Sequence, residues 1–395
     1  MLFEPLEPNE RFRARRAAAR RRQRRRRTIA VGILLTCLFG VAAGAKVITG
    51  DEPMLQASTK PAVKPKSAAP MPRTLPDEVR GVHVTMALAS LEGRFAKYLD
   101  LTREGLNTIE LDIKDENGEV GFVASAVPLA KKVGAARPYY KPRQLAAAAH
   151  ARGVYLIGRV VVFEDPRLSE GRPDLAIRTT DGGVWRNHAG LGWTNPYDRR
   201  VWDYNVSIAE VAARAGFDEI QFDYVRFPTD GDTDAVVYPG KTATPPAWVI
   251  AEFVHYASKR LKPLGVRVST DVFGLAATRD LGIGQRPKRF AKYVDAVYPM
   301  VYPSHYGAGE YGLTDPNAAP GETVQYSLSH FRRELRSSRA LLIPWLQDFS
   351  YGRTYGLADV QAQIAAARRM GARGYLLWNA AGVYTPGALT PPAGG

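Results

Sequence analysis

Two acidic residues fall where β-strands would present them for chemistry. In EIQFDYVRFP (219–228), Ile220, Phe222 and Tyr224 share one face of an extended strand, and Glu219, Gln221 and Asp223 share the other. In VRVSTDVFG (266–274), Arg267, Ser269, Asp271 and Phe273 share one face in the same way. Neighbouring strands lie about 4.8 Å apart, so Asp223 and Asp271 could project from adjacent tips. Such a pair suits cleavage of a glycosidic bond. One carboxylate attacks or stabilises the anomeric carbon and the other protonates the leaving oxygen, with ~5–5.5 Å between them when configuration is retained. Arg159 and Arg226 are available to keep Asp223 ionised, which makes it the nucleophile. Asp271, beside apolar Val272 and Phe273, is the candidate for a raised pKa and hence the acid. The reverse assignment, and Asp112 as the partner acid, stay open.

The same alternation supplies candidates for binding substrate. It turns Glu110, Asp112 and Lys114 inward on one strand, Arg159 on the next and Gln221 beside Asp223. Later strands offer Tyr298, Met300 and Tyr302, then Trp345 and Gln347, and finally Trp378. Trp193, Arg226, His83 and His305 fall near strand ends or in the loops that follow. A strand interior this polar is costly unless its charges are paired or solvated at a mouth. A buried ion network, with Arg159 and Lys114 neutralising Asp112 and Asp223, is the competing reading for any one acid. The concentration of Trp185, Trp193, Tyr298, Tyr302, Tyr306, Trp345 and Trp378 around those acids points instead to a groove that stacks flat, hydroxylated rings. Metal chemistry has little support: the six histidines form neither HxH on the first strand nor HExxH, and no metal or other cofactor is expected. GxSxG is absent, which removes the common serine-nucleophile signal.

Eight strand-like runs must position these groups: 79–87, 107–115, 154–163, 218–227, 266–274, 295–303, 340–349 and 373–381. Amphipathic runs at 143–153, 201–216, 248–265 and 358–371 have apolar residues at helical spacing. Strand and helix alternating over about 300 residues predict an α/β fold, a (β/α)8 TIM barrel, whose functional groups cluster at the C-terminal strand ends. A doubly wound open sheet is the competing architecture, and the Gly-rich phosphate loop it normally carries is missing.

The barrel region, 77–384, is nearly neutral. Of the net charge of +15, +8 lies in the basic segment 1–27 and +3 in 46–76, which leaves +4 for everything from Asp77 onward. A nucleic-acid-binding role therefore loses its main support. The arginine-rich run abuts TIAVGILLTCLFGVAAGA (28–45), eighteen residues without a charge. Charge on that side predicts a single-pass signal anchor over 28–49 in a cell membrane, with the rest of the chain exported. Ala43-Gly44-Ala45 offers secretion after cleavage as the alternative. Residues 50–76 read as a flexible, disordered linker and 385–395 as a disordered tail. The single cysteine, Cys37, excludes an intrachain disulfide.

Longer motifs resemble a known family. DIKDENGEVGF (112–122), GRVVVFEDPRL (158–168), WTNPYDRRVWDYN (193–205), GFDEIQFDYVRFPTDG (216–231), YPMVYPSHYGAGEYG (298–312) and PWLQDF (344–349) occur in the order seen in the putative glycosyl hydrolase domain family. The resemblance, over roughly 77–380, implies an exported or membrane-tethered TIM barrel distantly related to α-amylase and α-galactosidase groups. In those groups a nucleophilic Asp ends the fourth strand, which falls on Asp223 here. An amylase-like acid would be a Glu after the fifth strand, where this chain has Asp271. A galactosidase-like acid would be an Asp after the sixth, where this chain has tyrosines and His305. The expected activity is hydrolysis of a cell-wall or exopolymer polysaccharide; a carbohydrate-binding or cell-envelope scaffold barrel without turnover is the alternative.

Overall fold

The computed structural model describes residues 71–391, and the segments 1–27, 28–49 and residues 50–70 of the segment 50–76 lie outside that range. Among the described residues, nine strand segments form one closed, entirely parallel sheet. They are β1 (Val79–Val84), β2 (Thr108–Lys114), β3 (Tyr155–Val161), β4 (Glu219–Asp223), β5 (Arg267–Phe273), β6 (Ala296–Val301), β7 (Leu341–Leu342), β8 (Trp345–Gln347) and β9 (Gly374–Trp378). β7 and β8 are two pieces of one barrel stave: both pair with β6, and β8 also pairs with β9. The break falls at Pro344, which has no N–H to give the ladder, although its carbonyl still accepts from Leu376 N–H at 3.0 Å. Pairing of β1 with β9 and of β5 with β6 closes an eight-stave TIM barrel.

The four anticipated helices form at Pro142–Ala151, Arg199–Ala215, Pro246–Leu261 and Leu357–Arg369, and a further one spans Pro320–Leu335. Arg199–Ala215 shows how local sequence sets the limits. The Asp198 carboxylate accepts the Arg200 N–H at the start, and Gly216, at φ 107°, ends the helix in a left-handed turn. Its inner face buries Val201, Trp202, Tyr204, Val206 and Ile208 against the strands.

Burial separates the two faces of each strand. Outward residues such as Ile109, Leu111, Ile220 and Phe222 join the core beneath the helices. Phe253 meets Phe163, Trp202 and Phe222 edge-on, with centroids 5.4, 5.7 and 5.3 Å away. Each such contact contributes about 0.5–1.5 kcal/mol beyond area burial. This packing fixes the phase of β4, because a one-residue slip would turn Phe222 inward and Asp223 out. Inward residues make a second core: Val79, Tyr155, Ile157, Ala296, Tyr298, Ile343 and Leu376 fill the lower barrel. Within that layer Glu219 accepts hydrogen bonds from Tyr155 (3.0 Å) and Ser269 (2.5 Å), and burial raises its pKa.

Two elements depart from strict alternation. In β2 the register shifts between Asp112, which pairs with Arg159, and Lys114, which pairs with Val160. This bulge carries Lys114 out of the barrel interior. Its ammonium reaches Asp165 at 2.8 Å, Asn205 Oδ1 at 3.0 Å and the Val161 carbonyl at 2.5 Å, all within the wall. Lys114 is thus a structural cation rather than a group at the mouth. Replacing it with Met leaves Asp165 buried without its counter-ion, and a loss of about 3–5 kcal/mol in urea denaturation is expected. The second departure is in β4, which stops at Asp223 rather than running on to Pro228. Tyr224 takes φ 51°, a left-handed conformation uncommon for a non-glycine residue.

Candidate active site

Asp223 sits at the last position of β4 and is held from two directions. Arg159, on the adjoining β3, donates to Oδ2 from Nε (2.9 Å) and Nη2 (2.6 Å). The left-handed turn brings the Tyr224 N–H to Oδ1 at 2.6 Å. Arg159 also donates from Nη1 to Asp112 Oδ1 at 2.8 Å, and lies 3.8 Å from Glu110 and 3.7 Å from Glu116. Burial opposes its charge, but Asp223, Asp112, Glu110 and Glu116 outweigh that and hold its pKa well above the ordinary arginine value. The planar guanidinium supplies two donors to Asp223 Oδ2 and a third to Asp112 from one rigid group, an arrangement a lysine ammonium would not reproduce.

Asp271, on β5, has the opposite surroundings. Its Oδ1 accepts from Gln221 Nε2 at 2.5 Å and from Trp345 Nε1 at 2.7 Å. Burial, and then the negative charges of Asp223 and Glu110, push its pKa well above the usual aspartate range. With two donors fixed on Oδ1, that oxygen acts as the carbonyl, and the proton of the neutral acid belongs on Oδ2. Asp223 is the largest electrostatic contributor to this shift, so the two carboxyl groups occupy one electrostatic site. The Tyr302 phenol belongs to it too: burial, then Asp271 and Asp223, raise its pKa well above that of free tyrosine.

Beside Asp112 lies His83, which is 1% exposed. Its Nδ1 bonds Glu110, and its Nε2 is 3.7 Å from Asp112 Oδ2. Burial works against protonation, but Glu110 and Asp112 prevail and the histidine pKa is raised. Trp378 covers this pair, with its ring 4.4 Å from His83 and 5.7 Å from the Arg159 guanidinium. His83 is thus bonded to Glu110 and stands beside Asp112, with Trp378 packed on its ring.

Several anticipated ligands hold the site together instead of facing a substrate. Trp193 is buried, and Arg226 is stacked on it at 4.9 Å, on Tyr224 at 4.9 Å and on Phe273 at 4.8 Å. The Arg226 hydrogen bonds go to Phe227 O and Thr229 Oγ1, so Arg159 alone of the two expected arginines pairs with Asp223. By alternation Arg226 falls on the face opposite Asp223, with Phe222 and Tyr224, and β4 ends before reaching it. Tyr298 lies a layer deeper, where burial and Glu219 dominate its surroundings. Gln347 spends its amide on backbone: Oε1 accepts from Ser304 N–H (3.0 Å) and Nε2 donates to Phe349 O (2.9 Å). Gln221 and Trp345 are buried against Asp271. His305 is exposed on the rim, where Tyr302 and Phe349 meet it edge-on.

Three participants escape the sequence reading of site residues, and the part played by a fourth, inward Glu110, escapes it too. Glu110 is inward by alternation, and only the contact with His83 shows its place in the site. Glu116 and Tyr384 come from loops, where alternation has no hold; the Tyr384 hydroxyl donates to the His83 carbonyl. Phe349 follows β8 on a loop of the same kind.

The fold recurs widely among solved structures. A hypothetical protein from Ruminiclostridium thermocellum ATCC 27405 is 35% identical over 48% of this chain and 97% of its own, with a TM-score of 0.44. The PgaB (BpsB) glycoside hydrolase domain from Bordetella bronchiseptica is 15% identical, with 76% of this chain and 94% of that one covered and a TM-score of 0.55. The C-terminal domain of a putative chitinase from Desulfitobacterium hafniense DCB-2 is 9% identical, with 79% and 97% covered and a TM-score of 0.51. At these low identities the latter two show shared architecture. No curated protein matches the sequence. The pattern of one family, however, runs through residues 81–384, nearly the whole barrel with its Asp223 and Asp271 strand ends, and the chain belongs to the putative glycosyl hydrolase domain family.

Proposed function

We propose that this barrel is a glycoside hydrolase that uses Asp223 and Asp271 on a polysaccharide of the cell wall or an exopolymer outside the cytoplasm. The observation that carries the reading is the contrast between the two acids. Asp223 accepts three donors, two of them from a guanidinium, while Asp271 is desolvated and keeps one oxygen free. Environments that push two carboxyl groups apart assign an acid and a base. In this mechanism Asp271 Oδ2 delivers its proton to the glycosidic oxygen as the bond to the anomeric carbon breaks. The negative charge of Asp223 meets the positive charge that develops on the sugar. Trp378 and Tyr302 offer half-buried ring faces beside the two acids.

Location outside the cytoplasm is part of the proposal and rests on the arginine block and the apolar run 28–45. Among the described residues no helix is long and apolar enough to cross a membrane.

The direct test incubates the full-length chain with peptidoglycan strands, bacterial exopolymers and storage glycans and follows new reducing ends. Release from one of these classes, lost on removal of either aspartate, is expected. A second reading, a carbohydrate-binding barrel without turnover, is favoured by the 1% exposure of Asp271. Glycan affinity with no reducing ends from any substrate would establish it over hydrolysis.

The raised pKa of Asp271 gives a separate expectation. In the fold this carboxyl stays protonated at pH values where the unfolded chain has already lost the proton. Its contribution to stability is therefore complete below the ordinary aspartate range and declines as pH rises towards its folded titration point. Asp271→Asn keeps an acceptor for Gln221 and Trp345 without the ionisation. The variant is expected to melt higher than the parent at about pH 8, with that advantage gone near pH 3. Its hydrolysis is expected to fall by about 10²–10⁴-fold. Calorimetry across pH and reducing-end assays check the two halves independently.

A further inference from the structure

We infer that Tyr302, Phe349 and Tyr351 form an outer sugar-binding subsite that holds a pyranose ring of a polymeric substrate beyond the bond the two aspartates address. The inference rests on the glycan-hydrolase reading above and adds where the chain runs and what grips it.

The aromatic groups form a continuous path away from the carboxyls. Tyr302, at the tip of the sixth stave, meets Phe349 at 5.7 Å and His305 at 5.6 Å. His305 in turn lies 6.0 Å from Phe349 and 6.0 Å from Tyr351. Exposure rises along this path, from half-buried Tyr302 and Phe349 to Tyr351, which is 42% exposed. The inner end reaches the proposed catalytic groups, because Tyr302 packs against the inward cluster that contains Trp345, whose indole N–H bonds Asp271 at 2.7 Å.

The path is also braced. Gln347 joins its two loops through Ser304 N–H and Phe349 O, and Gln363 bonds both the N–H and the carbonyl of Gln347 at 2.9 Å. The Tyr351 carbonyl accepts from Asn317 Nδ2 at 2.8 Å, and Tyr351 forms a short antiparallel bridge with Arg353. Arg353 in turn donates to the Asn317 carbonyl at 2.8 Å and pairs with Asp359. A large ring held outward on a tied backbone loses little further freedom when a ligand covers it. Aromatic faces match the apolar face of a pyranose, while phenol and imidazole edges meet its hydroxyls. A path leading outward from the acids requires several linked sugars to fill it, so the substrate class is a polysaccharide and not a single glycoside.

The test uses the full-length chain carrying Asp223→Asn, so that ligands bind without turnover. Calorimetric titration with di- and hexasaccharides of chitin, de-N-acetylated chitin and α-1,4-glucan is compared before and after adding Tyr351→Ala or Tyr351→Phe. Tyr351→Ala is expected to weaken the best hexasaccharide about tenfold, with a smaller penalty for the matching disaccharide. Tyr351→Phe is expected to restore most of the affinity. An equal loss for both lengths, no loss, or no hexasaccharide binding before substitution would overturn the subsite. If the unmodified chain cleaves a glycan that Tyr351→Ala binds normally, the subsite falls and the hydrolase reading stands. If hexasaccharide affinity depends on Tyr351 but the unmodified chain cleaves none of the glycans, the subsite stands and the hydrolase reading falls.

Discussion

Asp223→Asn is expected to reduce glycan hydrolysis by at least about 10³-fold, because in the proposed mechanism the substitution removes the charge that meets the anomeric carbon. The variant separates chemistry from scaffold imperfectly, and hydrogen-bond inventory shows why. Asp223 accepts donors on both oxygens, from Arg159 on Oδ2 and from the Tyr224 N–H on Oδ1. Asparagine offers one oxygen, so whichever way the amide turns, its NH₂ opposes one of these donors. A loss of about 1–3 kcal/mol of stability should accompany the lost activity. Activity must therefore be measured well below the midpoint of unfolding, with glycan affinity followed in parallel. Retained affinity with no turnover places Asp223 in the reaction itself. Turnover equal to the parent would remove it from the mechanism.

Arg159→Leu should strongly destabilise the fold. The guanidinium bonds Asp112 and Asp223 and lies within 4 Å of Glu110 and Glu116. Leucine fills part of the volume and leaves buried carboxylates facing one another. Removing one partner from such a cluster costs about 3–5 kcal/mol, a large part of the ~5–15 kcal/mol that holds an ordinary domain together. The midpoint in urea should fall accordingly. The defect should shrink at low pH, where the orphaned acids accept protons. Arg159→Lys distinguishes charge from geometry: it keeps the cation and recovers much of the stability, but gives up the fork that spans Asp112 and Asp223. Its activity is expected to remain low after folding is restored. A Lys variant as active as the parent would show that any cation suffices.

Most of the scaffold could be read from period alone. Alternating apolar residues marked the eight staves, and Phe222 packed outward against Phe253 confirms the phase that turns Asp223 in. The pairing of Arg159 with Asp112 and Asp223 followed from that phase. Reading failed where the backbone leaves a regular period. The β2 bulge reverses Lys114, and the left-handed Tyr224 ends β4 at Asp223, short of the strand end read from the sequence. Neither event has a glycine or proline at the site to announce it. Side chains such as Gln347 look like ligands in a list of inward polar residues; only the loops they tie together reveal their structural part. The helix Pro320–Leu335 was legible in retrospect, since Val324, Leu328, Phe331 and Leu335 recur on one buried face.

The left-handed turn at Tyr224 has a wider consequence. Because the peptide that leaves the barrel is itself a ligand of Asp223, the carboxylate is anchored by main chain on one side and by Arg159 on the other. The excursion from 225 to 245 can then change in length or composition without moving the Asp223 carboxylate. Substitutions in that loop can therefore alter what the barrel accepts while the Asp223 carboxylate keeps its place.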